Sequence, residues 1–286
     1  MNPSLNASEL ATYERDGLLF PKRVLSPERA AAYRTEWEAY EARTGGPIKG
    51  QYRYKSHLVF PFIDQIIREP AILDLVECVL GPDILVWNTN LYPKEAGDDR
   101  FISWHQDSAH WGLNNNRIAS VWIALSPATR ENGCMAMIPG SHRQGTVAHS
   151  DTWDPKNILT RGQTITQEVD ETNAVWVTLA PGECSLHHVE TMHFSPGNTS
   201  AERRVGLAVR YITPSARQTH HDVDYATLVR GKDVFGHFLP ERAPTASMDE
   251  AALAFHAEVA DTQGKILLHG TDRVGAKGLA ETNTFR

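Results

Sequence analysis

The chain has 286 residues, 41% hydrophobic and 22% charged, and its 28 Lys+Arg against 35 Asp+Glu leave a formal net charge of −7. That is ordinary globular composition, and the acidic balance argues against a nucleic-acid partner, which calls for a basic footprint. No stretch approaches the ~18 apolar residues of a membrane helix. The opening Met1-Asn2-Pro3-Ser4-Leu5 lacks the regions of a secretion signal, and Cys78, Cys134 and Cys184 are too few and too scattered for a disulfide framework, so a reduced, cytoplasmic protein is expected.

In chain order, residues 1–82 read as a helical support. Ser8 is placed to cap a helix through Glu14. Ser26-Pro27-Glu28 opens a second, which runs to Arg43 and breaks at Gly45-Gly46-Pro47. A third spans Pro70–Leu80 and closes at Gly81-Pro82. The period then changes. Strand-like runs fall at 84–92, 119–125, 134–138, 174–179, 184–188 and 205–212, separated by turns such as Glu131-Asn132-Gly133 and Ala180-Pro181-Gly182. Many short strands favour an antiparallel sandwich or barrel. The segment 143–173 has no clear period and is expected to be a lid loop. The polar extension 214–286 has helical character around Met248–Val259. No composition break marks a second domain, so 1–286 is expected to be one domain with 84–213 as its core.

Thirteen histidines raise the question of a metal, because imidazole is the commonest side-chain ligand. In His105-Gln106-Asp107 the outer two residues share a face if the segment is a strand. Joined by a remote histidine, they would form the two-histidine, one-carboxylate facial triad of non-haem iron(II), with three positions left open. A surface histidine beside a solvated aspartate fits the same tripeptide. His187, His188 and His193 compete for the third place, and only one of the adjacent pair can face inward. Eleven residues after His193, Arg204 sits on an apolar strand. A buried guanidinium needs an anion, and a dicarboxylate co-substrate would supply one through two parallel hydrogen bonds. Strand parity allows an outward Arg204 equally well.

Trp104-His105-Gln106-Asp107, Pro139-Gly140-Ser141-His142 and the His193…Arg204…Arg210-Tyr211 stretch, in that order over roughly residues 84–213, resemble the phytanoyl-CoA dioxygenase family, which includes ectoine hydroxylase and related halogenases. The resemblance implies a mainly β, double-stranded β-helix (jelly-roll) fold with flanking helices. It also implies Fe(II), 2-oxoglutarate and O2, used to hydroxylate an unactivated C–H bond of a small metabolite or natural-product intermediate with release of succinate and CO2; desaturation, epoxidation or cyclisation are the alternatives. By position it makes His105, Asp107 and His193 the iron ligands, Arg204 the co-substrate clamp and Ser195 its hydroxyl helper. Asn88 and Trp111 fall at cofactor-pocket positions, Asn88 where a glutamine is expected. Retention of Asp107 implies oxidation rather than halogenation, because halogenating relatives carry a small residue there.

Among the remaining polar residues, His110, His188, Arg161 and Arg217 are candidates for contact with a small-molecule substrate. His142 reads as packing at a strand end, His149 as solvated or functional in equal measure, and His220-His221-Asp222 as a solvated loop. Trp122 and Trp176 read as core. A zinc hydrolase would need a base near the metal, for which Glu190 is the candidate. A jelly-roll binding protein without turnover would need no triad and arginine together.

Overall fold

The computed structural model describes residues 5–282; the reading of Met1–Ser4 as part of a missing signal lies outside them. The elements in order are α1 (Ala7–Asp16), β1 (Leu18–Arg23), α2 (Pro27–Thr44), α3 (Gly50–Arg53), α4 (Pro61–Ile67), α5 (Pro70–Leu80), β2 (Ile84–Leu91), β3 (Ile102–His105), β4 (Ile118–Ala124), β5 (Ala136–Met137), β6 (His149–Asp151), β7 (Gln163–Ile165), β8 (Val175–Trp176), β9 (Glu183–His188), β10 (His193–Ser195), β11 (Gly206–Ile212), β12 (Tyr225–Arg230), β13 (Leu239–Pro240), α6 (Glu250–Leu267) and α7 (Gly275–Ala280).

Local chemistry accounts for the helix ends. Asn6, not Ser8, caps α1: its side chain accepts from Glu9 N at 3.0 Å while the Glu9 carboxylate accepts from Asn6 N at 3.0 Å, a reciprocal box. Ser26 caps α2 with Pro27 at the first turn, as its sequence suggests. The expected α5 has the expected bounds. Strand β1, inside the stretch read as helical, was hidden by Pro21, which breaks its alternation.

A seven-stranded sheet runs β1-β9-β4-β11-β2-β12-β13, and a four-stranded sheet β3-β10-β5-β8 faces it, giving the jelly roll; a small ribbon β6-β7 is a separate sheet that lies against β3. All pairings are antiparallel except β12 with β13. Segment 143–173 therefore holds its own ribbon, whose three-residue strands were too short to show a period.

Side-chain parity divides the large sheet. Along β4 and β11, Val121, Ile123, Leu207, Val209 and Tyr211 pack on Trp37, Phe60, Phe62, Ile63 and Ile66 of the helical layer. Burying each large apolar side chain contributes about 1.5–3 kcal/mol. Ser120, Trp122, Ala208 and Arg210, one residue out of step, face the small sheet instead. Gly206 has no room for a side chain, because a Cβ there would meet the Trp122 indole, which covers that point of the inner face. Cys78, Cys134 and Cys184 are free, and no helix among the described residues is long and apolar enough to cross a membrane.

Candidate active site

Antiparallel pairing of β3 with β10 sets His105 opposite His193, and the two ring centroids lie 4.0 Å apart. Asp107 does not share a strand with His105, as the i, i+2 reading required: β3 ends at His105, and Asp107 opens a 3-10 turn, Asp107–His110. The two still converge because Gln106 between them is extended, at φ −116° and ψ 136°. Its own side chain goes the opposite way, donating to the carbonyls of Gly145 and Glu190 at 2.9 and 2.8 Å and accepting from Val147 N at 2.8 Å. His105, Asp107 and His193 are all buried, with one potential ligand atom each, all within 4.8 Å of one another.

The histidines are oriented by backbone. His105 Nδ1 donates to Ser103 O at 2.9 Å and His193 Nδ1 to Thr191 O at 2.9 Å. The proton therefore sits on Nδ1, and the Nε2 lone pairs point inward. Burial, reinforced by His105, holds His193 well below its ordinary pKa, which keeps it in the neutral form a ligand needs. Burial would raise Asp107, but the Arg210 guanidinium, with His105 and His187, more than offsets it and holds the carboxyl well below the usual range.

Four buried polar residues form one row across the inner face of the large sheet. Register pairs Asn88 on β2 with Arg210 on β11, Arg210 with Ser120 on β4, and Ser120 with His187 on β9. Ser120 Oγ donates to Asp107 Oδ2 at 2.9 Å, Arg210 Nη2 to Oδ1 at 3.5 Å, and His187 Nε2 lies 3.8 Å from Oδ2. Sequence reasoning assigned no role to Ser120 or Arg210. Their signal was a single polar residue inside an apolar strand, buried without the pairing that such burial normally demands.

The next row carries a second centre. Arg204, 2% exposed, lies over Trp122 with Cζ 5.2 Å from the ring centroid. Its Nη1 donates to Gly133 O, its Nε has no hydrogen-bond partner, and no carboxylate of the described residues pairs with it. Ser195 sits beside it, 3.4 Å from Nη1, and donates to Gly133 O at 2.8 Å. Lys94, which the sequence reading passed over, is fully buried here: its Nζ donates to Ser195 Oγ at 2.7 Å and to Pro196 O. Burial and then the neighbouring Arg204 depress Lys94 to about 6, and burial brings Arg204 to about 10. A cavity of about 430 Å³, lined among others by His105, His193, Trp122, Ser195 and Arg204, joins the histidines to this cationic end. Trp122 is thus cavity wall as well as core.

Asn88 and Trp111 line a different cavity, of about 500 Å³, on the other side of Arg210 from Arg204, with Asp107, His110 and Arg161. His110 is there, but Arg161 is tied to backbone, donating from Nε to Leu267 O at 2.7 Å and from Nη2 to His269 O at 2.8 Å. His188 is outside both cavities. Parity turns its neighbour His187 inward and leaves His188 against the His142 ring and Glu190. Arg217 is exposed in a separate surface groove with His220, His221 and Asp222. His142 Nε2 meets Glu14 O at 3.2 Å, a packing role, and His149 is fixed between Gln106 N and Val147 O. Glu190 is spent on Asn116 and Thr146, each at 3.1 Å, and lines neither cavity.

The donor set fits the implied groups. Two imidazole nitrogens and one carboxylate oxygen, all within 4.8 Å of one another, suit iron(II). A buried guanidinium without a carboxylate, with a buried amine beside it, suits the far end of a dicarboxylate.

The chain is similar to known proteins in sequence and in fold. Over 180 residues the chain is 31% identical to a probable alpha-ketoglutarate-dependent hypophosphite dioxygenase of Stutzerimonas stutzeri, covering 62% of each. An ectoine dioxygenase of Bordetella parapertussis is 26% identical over 156 residues, 49% of this chain and 51% of the relative, so the matches span about half to three fifths of the curated relatives' length. Among solved structures, the non-haem monooxygenase ThoJ in its apo form has a TM-score of 0.80 at 37% identity, covering 90% of this chain and 96% of ThoJ. The family model for phytanoyl-CoA dioxygenase (PhyH) matches residues 13–206, and the chain belongs to that family.

Proposed function

We propose that the chain is a non-haem iron(II) oxygenase that consumes 2-oxoglutarate and O2 and hydroxylates a C–H bond of a small molecule, with release of succinate and CO2. The observation that carries this reading is one cavity with His105 and His193 at one end and Arg204 at the other, with Asp107 placed to complete the ligand set beside the two histidines. His105, Asp107 and His193 would hold the metal on one face. Iron, when bound, supplies the activation of O2 that no side chain can provide.

The chain's own residues do the rest. Arg204 receives the distal carboxylate of 2-oxoglutarate through its planar fork. Lys94 stands behind Ser195, where an arriving carboxylate favours its ammonium form, and the Trp122 indole closes the floor against water. Ser120 and Arg210 keep both oxygens of Asp107 oriented. Engagement of Glu190 elsewhere speaks against a metal hydrolase, which needs a base at the metal. Retention of Asp107 favours oxidation over halogenation.

The test is anaerobic addition of iron(II) and then 2-oxoglutarate to the apo protein, followed by visible absorption. A weak charge-transfer band, lost in His193→Ala, supports the reading. Bound iron without the band refutes 2-oxoglutarate chelation. Product mass then distinguishes hydroxylation from desaturation, epoxidation or cyclisation.

A further inference from the structure

The cavity on the Asn88 side of Arg210 has no occupant in the reading above. It adjoins Asp107 and is lined by Asn88, Asn90, Tyr92, Trp111 and Arg210 among others. Arg210 is 7% exposed, and its contact to Asp107 is long, at 3.5 Å. Its Nε and Nη1 have no hydrogen-bond partner. Tyr92 and Trp111 flank the guanidinium, with ring centroids 5.9 and 5.6 Å from Cζ. Asn88, paired with Arg210 across the strands, is also buried, and its Oδ1 is unpartnered. Its amide can turn either an acceptor or a donor toward the cavity.

Unused hydrogen-bonding capacity on a buried cation is costly. The cost rises once a metal dication takes up the charge of Asp107, because Arg210 then has no counter-ion beside it. The other cationic candidates do not serve. Arg161 has Nε and Nη2 on backbone carbonyls and Nη1 3.3 Å from Asp151, and Arg217 is exposed elsewhere. Burial, and next the charge of Arg161, brings His110 down to about 4, so it enters neutral.

Resting on the oxygenase reading, we propose that this cavity binds substrate through an oxyanion, a carboxylate or phosphonate, received by the free edge of Arg210 with Asn88 beside it. Arg210 is then the specificity-determining residue, and the oxidised C–H bond lies within a few bonds of the anionic group, because Arg210 touches a candidate iron ligand.

The experiment is anaerobic calorimetry on the full chain loaded with iron(II) and 2-oxoglutarate, titrated separately with propionate, propylphosphonate and neutral propionamide. At least one acid is expected to bind saturably and the amide not, and the better acid identifies the oxyanion. Arg210→Gln should weaken that acid by about tenfold or more, with Arg210→Lys in between, as for loss of a charge-assisted fork. If Arg210→Gln fails to hold iron, Asn88→Leu obstructs the same cavity without touching Asp107 and should weaken the acid likewise. Equal binding of the amide, no binding of either acid, or unchanged affinity in the variants overturns the inference. The visible band separates the two readings: a band without acid binding sinks this one alone, and acid binding without a band sinks the oxygenase reading alone.

Discussion

Ser120 donates its hydroxyl to Asp107 Oδ2 at 2.9 Å from the inner face of β4, so the large sheet fixes a carboxylate that belongs to the small sheet's side of the barrel. Its neighbours Ala119 and Val121 face the helices, and it is the only polar residue of Ile118–Ala124.

Removing that hydroxyl leaves Asp107 free to turn. Ser120→Ala should weaken metal binding by about tenfold, within the range for lost outer-shell hydrogen bonds, while the fold persists. Competition with a chelator of known affinity measures this; an unchanged metal affinity would show that Arg210 alone suffices.

Arg204 has no carboxylate partner of its own, so truncation strands no charge within the protein. Arg204→Ala should raise the 2-oxoglutarate dissociation constant about 100-fold, on the scale of losing a buried ionic anchor, and leave iron affinity nearly unchanged. Arg204→Lys should recover only part, since an ammonium cannot fork.

Lys94 gives a pH dependence with a definite sign. In the free protein it is neutral above about 6, owing first to burial and then to Arg204. A carboxylate arriving nearby favours the ammonium, so binding takes up a proton above that pH. Affinity for 2-oxoglutarate should therefore fall as pH rises from 6 toward 8, and Lys94→Met should flatten the slope. Binding measured across that range in both proteins decides it.

Away from the site, Glu241 is fully buried against Lys55 Nζ at 2.6 Å and His57 Nε2 at 2.8 Å. Burial would raise its pKa, but Lys55 and His57 outweigh this and lower it to about 2. Its contribution to stability is thus complete above the ordinary carboxyl range and is lost as pH falls toward 2. Glu241→Gln leaves Lys55 uncompensated and should cost about 3–5 kcal/mol, read as a lower denaturant midpoint at neutral pH.

His-x-Asp alone is a weak signal, and it is the family resemblance that singles out His105, Asp107, His193 and Arg204; β2, β4, β9 and β11 can be read because apolar runs bounded by turns are long enough. What stayed hidden depends on register. Whether His187 or His188 faces inward follows from which of them pairs with Ser120, and that is set by a partner strand over sixty residues away. Lys94 follows Pro93 just beyond β2, where no period signals burial. Arg161 reads as an exposed loop cation until α6 comes into contact with it.

That last contact ties distant parts of the chain together. Arg161 stands on the wall of the Asn88 cavity and grips the carbonyls of Leu267 and His269, where α6 runs out. Leu267 itself reaches the same wall. The end of α6 is therefore a buttress for the chamber wall. Residues near 267 that touch no reacting atom set how wide the chamber stands, and divergence there can retune which molecules enter while the iron-binding frame stays as it is.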